Sequence, residues 1–262
     1  MPVTPHPSSE AIQMNNWHIT RLPAKLLNIQ PMRLIPAATI TASSNAQSGV
    51  DLRSQLPPVY DQGSLGSCTA NALCAAFAYI VKNFQGSRLF LYYNTRVIEN
   101  TTNYDAGAYI HNSIATLKTQ GLCAEAGWPY VPSKYTIKPP IICYRAGLQN
   151  RIINAYNIPT NLTAMKASLI AKRPFVLGFL VYGSFYGNSV ARTGIVPMPG
   201  KNESVVGGHA VLVCGYNDAR QWFIVRNSWG AGWGDKGYFY MPYAYFTNPE
   251  WTSDIWAIMR AN

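Results

Sequence analysis

Acidic side chains are scarce in this chain. Its 262 residues hold 11 Asp and Glu against 21 Lys and Arg, and charged residues make up only 12% of it. Chemistry that needs paired carboxylates is poorly supplied. Histidine is scarcer still, with His6, His18, His111 and His209 alone. The five cysteines, Cys68, Cys74, Cys123, Cys143 and Cys214, include no Cys-x-x-Cys spacing, and no His lies within short range of any Cys pair. A structural zinc site is therefore not expected. Lys and Arg form no run; the densest pair is Lys172-Arg173. Despite a net charge of +10, there is no basic stripe with interleaved aromatics, and nucleic acid is not expected as a partner. The longest near-continuous apolar run, Ala72 to Val81, is about half of a membrane span, so no membrane partner is expected either. No internal repeat is visible. Apolar residues do abound, at 48%, with aromatics at 13%. A chain of this length and composition can bury a real core as one large domain or two small lobes.

Residues 1–50 stand apart. They carry Arg21, Lys25 and Arg33 against the single acid Glu10, and six prolines precede a small, polar stretch from Ala37 to Gly49. Such a stretch reads as a linker or protease-sensitive joint. The first ten residues hold no apolar core of a secretory leader. Further on, apolar residues at Leu73, Ala76, Phe77, Ile80, Val81 and Phe84 follow helical spacing. This predicts a helix from Ala70 that is buried nearly all round. Helices are also expected at about 88–98, 107–120 and 161–172, with an irregular Pro-rich stretch from Trp128 to Pro140. The last third turns to short β-branched and aromatic strands: Phe175–Val181, Ala210–Cys214, Trp222–Arg226, Gly237–Met241 and Ile255–Met259. Helices first and strands later predict an α+β fold with two lobes.

Three segments concentrate chemistry. Cys68 closes Gln62-Gly63-Ser64-Leu65-Gly66-Ser67-Cys68, where the buried helix begins. Backbone N–H groups and the helix dipole there favour a thiolate. His209 follows Gly207-Gly208 and opens an apolar strand; this suits acid–base work better than His111, which reads as a satisfied or surface histidine inside a helix. Arg226-Asn227-Ser228-Trp229-Gly230 opens a Gly- and Trp-rich run between two strands, and the carbonyl of Asn227 can orient an imidazole. Cys74 and Cys214 lie in apolar runs and read as inert core thiols. Cys123 and Cys143 flank the Pro-rich stretch; they can pair or stay reduced, and sequence does not fix which.

These three motifs, in this order, resemble those of the papain-like (cathepsin-like) cysteine peptidases. His209 lies 141 positions after Cys68, within that family's range, and Asn227 falls slightly beyond it. The resemblance covers about residues 51–262 and implies a papain-like fold, with a helical lobe at about 51–150 and a β lobe at about 151–262. It implies that Cys68 is the nucleophile, His209 its base and Asn227 the residue that orients His209. Gln62, with the Cys68 N–H, forms the oxyanion hole, and Trp229 shields the His–Asn contact. It places Gly107, within Asp105-Ala106-Gly107, on the substrate-binding surface together with Gly66 and Gly208. No metal or cofactor is needed. Departures are Thr69 where the family usually has Trp or Tyr, Leu65 in place of a bridging Cys, and Cys214 in the His motif.

The function so implied is hydrolysis of peptide bonds through a Cys–His ion pair and an acyl-enzyme, by an endopeptidase. Alternatives are an exopeptidase of the same family, a catalytically silent binding module, and acyl transfer. The expected partners are protein or peptide substrates, and the enzyme is expected to be a monomer. Trp17 to Pro36 mixes apolar and basic residues, so residues 1–50 are expected to pack on the domain as a latency prosegment cleaved near 37–50, a disordered tail being the alternative. The segment lacks the long helical prosegment of many relatives and resembles the shorter extension of microbial members. A secreted or extracytoplasmic location is expected, the leader being absent from the chain as given, with a cytoplasmic one as the alternative. From residue 51 on, 18 basic residues face 10 acidic ones, which predicts a cleft biased toward acidic partners.

Overall fold

The computed structural model describes residues 47–261. The buried helix, α1, starts at Cys68, two residues ahead of the expected position, and ends at Ile80. Every residue from Cys68 to Tyr79 is buried, as a helix that is apolar on all faces requires. It packs on α2 (Arg88–Ile98) and on strands of the sheet. Then come α3 (Ile110–Thr119), α4 (Ile141–Gly147), α5 (Leu162–Ile170), α6 (Asn188–Thr193) and α7 (Tyr243–Phe246). α3 starts three residues later than expected because Gly107 adopts φ 73°, a left-handed conformation that a helix does not continue through. Ser87 caps α2 by accepting from the Phe90 N–H, and Asn161 caps α5 through Ala164.

Among the described residues seven strands form one antiparallel sheet. They are β1 (Gly49–Asp51), β2 (Ile152–Asn157), β3 (Phe175–Tyr182), β4 (Val205–Asn217), β5 (Trp222–Arg226), β6 (Tyr238–Pro242) and β7 (Thr252–Ala261). Their order is β2-β7-β3-β4-β5-β6, with β1 paired to β4. The alternation of side chains along β3 and β4 then divides the interior. Phe175, Leu177, Phe179, Val211 and Val213 join a large aromatic-rich core with Phe223 and Phe239. Val176, Ala210 and Leu212 join a second core with Leu73, Phe77, Phe90 and Ile114 from the helices. Buried on both faces, β3 and β4 read as continuous apolar runs. The result is a two-lobed α+β fold, as the resemblance implies, whose central strands serve both lobes.

The extension read as residues 1–50 ends inside this body. Gly49 pairs with Asn217, the Tyr216 hydroxyl donates to the Gln47 carbonyl at 2.9 Å, and the Asp218 N–H donates to the Ser48 carbonyl at 2.8 Å. The Trp17–Pro36 segment and most of the joint lie outside the described residues. No disulfide joins the five cysteines, all of which are buried. Cys123 and Cys143 are neighbouring thiols rather than a bridge. Burial pushes the Cys74 thiol well up and that of Cys214 up to about 12, which suits inert core groups.

Gly215 lets β1 approach β4, since a Cβ there would overlap the Val50 carbonyl oxygen and lie 3.2 Å from the Asp51 Cα. Gly215→Ala is expected to lower stability by about 2 kcal/mol. Hydrogen exchange should speed up first at residues 49–52; unchanged protection there would refute the role of this contact.

Candidate active site

The loop before α1 and the loop after β5 are stitched together across the molecule. The Gln62 N–H donates to the Ser228 carbonyl at 2.9 Å, and the Gly230 N–H donates to the Tyr60 carbonyl at 3.0 Å. The Gln62 side chain is fully buried. Its Nε2 donates to the Leu65 carbonyl at 2.9 Å, and its Oε1 accepts from the Ser228 hydroxyl at 2.6 Å. That fixes which way the amide faces.

Posts beneath the loop hold it. The Tyr130 hydroxyl donates to the Gln62 carbonyl at 2.9 Å and also meets the Ser67 hydroxyl. Asn71 donates from Nδ2 to the Ser67 carbonyl at 3.0 Å and accepts from Arg88 at 3.2 Å. Arg88 pairs with Glu125 at 2.8 Å and stacks over Tyr60 and Tyr130. At Cys68 the first turn of α1 carries no acid, and the Ser67 side chain makes no capping bond to it. No carboxylate in that turn opposes the field of the helix N-terminus at the thiol.

His209 sits on β4 opposite Phe179 of β3 and is 3% exposed. Its Nε2 lies 2.8 Å from Asn227 Oδ1, which also accepts from the Ser228 N–H at 2.8 Å. An amide oxygen only accepts, so Nε2 carries the hydrogen. The buried Nδ1 makes no hydrogen bond among the described residues and is the nitrogen left to exchange a proton. The Trp229 indole stacks on the imidazole at 5.0 Å between centroids and 22° between planes. Phe185, Tyr186 and Trp233 back the indole. A nearly buried indole, 5% exposed, keeps water from the His209–Asn227 bond, which is stronger for it.

Cys68 and His209 both line one cavity of about 460 Å³. Thr69, Ala106, Ala108 and Ile110 form its helical wall; Phe179, Leu180, Gly208, Ala210 and Trp251 form its sheet wall. Of the glycines expected at the substrate surface, Gly208 borders the cavity. Gly107 is buried between two bordering residues, Ala106 and Ala108, and its N–H donates to the Tyr92 hydroxyl at 3.1 Å. The Gly66 N–H donates to Asp105 Oδ2 at 2.9 Å. Thr69 has its own task, its hydroxyl donating to the Ala108 carbonyl at 2.8 Å and tying α1 to the wall.

Sequence reasoning missed the far end of the cavity. Glu99, Glu250 and Asp254 line it, and no local motif connects these positions, which only the fold brings together. They also correct the expectation of a cleft biased toward acidic partners. The ionisable residues lining this cavity are those three carboxylates with Cys68, Tyr109 and His209, and no Lys or Arg is among them. The excess base lies elsewhere.

Residues 46–251 match the papain family cysteine protease domain. An uncharacterised peptidase C1-like protein of Acanthamoeba polyphaga mimivirus is 41% identical over 214 residues, spanning 76% of this chain and 69% of the viral one. Chymopapain of Carica papaya is 26% identical over 74% of this chain, which spans 54% of chymopapain's length. Among solved structures, xylellain, a cysteine protease from Xylella fastidiosa, superposes with a TM-score of 0.82 at 36% identity, covering 92% of this chain and 96% of xylellain. The chain belongs to the papain family of cysteine proteases.

His111, half inside the wall, bonds through Nδ1 to Asp254 Oδ2 at 3.0 Å. That hydrogen bond holds its imidazole above the ordinary value against the opposing effect of burial, with the charges of Asp254 and Glu99 adding to it. Since the folded state favours the charged ring, the stabilisation is complete below the unfolded value of about 6.5 and fades as pH rises through the higher folded value. The Tm difference between the natural chain and His111→Gln should therefore be largest near about pH 5.5 and shrink toward about pH 8.5. A difference that grows with pH would contradict the pairing.

Proposed function

We propose that this cysteine protease is an endopeptidase in which Cys68, His209 and Asn227 perform the chemistry and Gln62 supports the oxyanion. The observation that carries this reading is the 2.8 Å His209–Asn227 bond, made by a histidine that shares its cavity with Cys68. In the proposed sequence His209 holds the proton of Cys68, and the thiolate adds to the peptide carbonyl. The Cys68 N–H and Gln62 Nε2 receive the developing oxyanion, a contribution of about 3 kcal/mol for one such donor. The C–N bond breaks as His209 Nδ1 protonates the leaving amine, leaving a thioester on Cys68. His209 then takes a proton from water, which attacks the thioester and releases the acid and the thiol. The Asn227 carbonyl keeps the ring in one tautomer throughout. Endopeptidase action is favoured because the histidines are isolated in sequence, with no adjacent pair to receive a substrate's free carboxylate.

Cys68→Ala is expected to abolish both peptide hydrolysis and labelling by an epoxysuccinyl probe; hydrolysis retained by that variant would sink the assignment. Substrates blocked at both termini should be cleaved by the natural chain, whereas an exopeptidase would leave them intact.

The same proposal extends to residues 1–46 as a latency segment on a monomeric enzyme. Supporting it are the apolar and basic character of Trp17–Pro36 and the small-residue joint that follows. The chain from Gln47 on is bound into the sheet, so cleavage ahead of Gln47 leaves β1 in place. A chain beginning at Gln47 should then turn over substrate at least about tenfold faster than the full one at equal probe-labelled enzyme. Equal rates would refute latency.

A further inference from the structure

Resting on the reading of Cys68 and His209 as the reacting pair, we infer that the adjoining cavity selects substrates with a basic side chain, lysine or arginine, and that Glu99 is the residue that selects it. The cavity has room for a long side chain at about 460 Å³, and its walls are apolar through Ala108, Ile110, Phe179 and Trp251. Such walls take the methylene stem that Lys and Arg carry beneath their charge. All the carboxylates that line it, Glu99, Glu250 and Asp254, would meet that charge with no Lys or Arg in the lining to compete.

The three are not equivalent. Asp254 is engaged: Oδ2 accepts from the N–H and Nδ1 of His111, and Oδ1 accepts from Trp256 Nε1 at 2.7 Å. Glu250 is exposed to water, where its charge is screened. Glu99 is partly buried and held at one oxygen, Oε1 accepting from the Tyr109 N–H at 2.8 Å and from Asn112 Nδ2 at 3.0 Å. It is thus a positioned carboxylate on an apolar wall. Burial raises its pKa against these two bonds and the charges of His111 and Arg96, so an entering cation is the missing partner that its ionised form would gain.

Two matched peptide series test this, identical except for Arg, Lys, Leu or Glu at the residue entering the cavity, with the ratio of kcat/KM for Arg over Leu as the readout. The ratio is internal to one enzyme preparation, so loss of folded protein cancels. The natural enzyme should favour Arg and Lys over Leu and reject Glu. Glu99→Gln, which keeps the shape and the acceptor for Tyr109 and Asn112, should lower the ratio about tenfold. The ratio should also rise from about pH 4 to 7 as Glu99 ionises, while Arg96 and the Asp254-bonded His111 beside it keep their charge over most of that range. A natural enzyme that prefers Leu, or a ratio untouched by Glu99→Gln, overturns the inference and leaves the catalytic assignment standing. Absence of cleavage in every series, with no probe labelling of Cys68, removes the catalytic reading and this inference with it.

Discussion

Strand β4 is the constraint on which the cleft depends. It is buried on both faces, and its alternation feeds two cores, Val211 and Val213 into the aromatic one and Ala210 and Leu212 into the helical one. His209 shares the parity of Val211 and Val213 and so points with the aromatic core, while Cys68, at the head of α1, belongs to the helical core. A thiol from one lobe and an imidazole from the other then border one cavity at the seam because a single strand is common to both. A one-residue slip of β4 would turn His209 to the other face and exchange every core contact of the strand. Register is therefore enforced by tens of buried side chains, far more than the site itself could enforce.

Precision within that frame comes from polar posts. Gln62 is oriented by Ser228, and Asn227 by its own neighbour's N–H, so the two loops position each other. Beneath them the surplus of base finds its use. Arg88, Arg96 and Arg226 are all buried. Arg226 donates to the Pro57 and Pro58 carbonyls and stacks over Tyr60, against whose ring Arg88 also packs. Arg96 donates to the carbonyls of Thr101, Thr102, Tyr104 and Tyr135 and lies over Tyr92 and Tyr135. Guanidinium groups suit this work because a planar fork can gather several carbonyls while its faces stack on rings. Part of the positive charge that raised the question of an anionic partner is thus spent on fixing loops.

Much of this was legible in the chain. Long, uniformly apolar segments gave α1, β3, β5 and the middle of β4, because burial on all sides leaves a continuous signal. The Cys68, His209 and Asn227 segments stood out for residue types that sit oddly in their surroundings. β2 was not legible: its pairing with β7 shifts register twice, and its residues alternate irregularly between buried and exposed. β1, three residues long, carries no period of its own. α4, with Ile141 and Ile142 67% and 62% exposed, shows an apolar pattern that the fold does not bury. Nor could Glu99, Glu250 and Asp254 be grouped, since they come from the end of α2, the loop before β7 and β7 itself.

The acidic residues illustrate why net charge misleads about a cleft. Charge counted along the chain weighs every residue equally, but a ligand inside a cavity responds to the few groups within a Debye length that water does not screen. Most of the described Lys and Arg either point to solvent, where their fields decay, or are buried among carbonyls and rings. Glu99 is only partly exposed and anchored by the N-terminus of α3, the end of the helix that favours negative charge. A chain with 21 bases and 11 acids can therefore present three carboxylates in the cavity that Cys68 and His209 line. The scarcity of acids makes those that face the substrate more decisive.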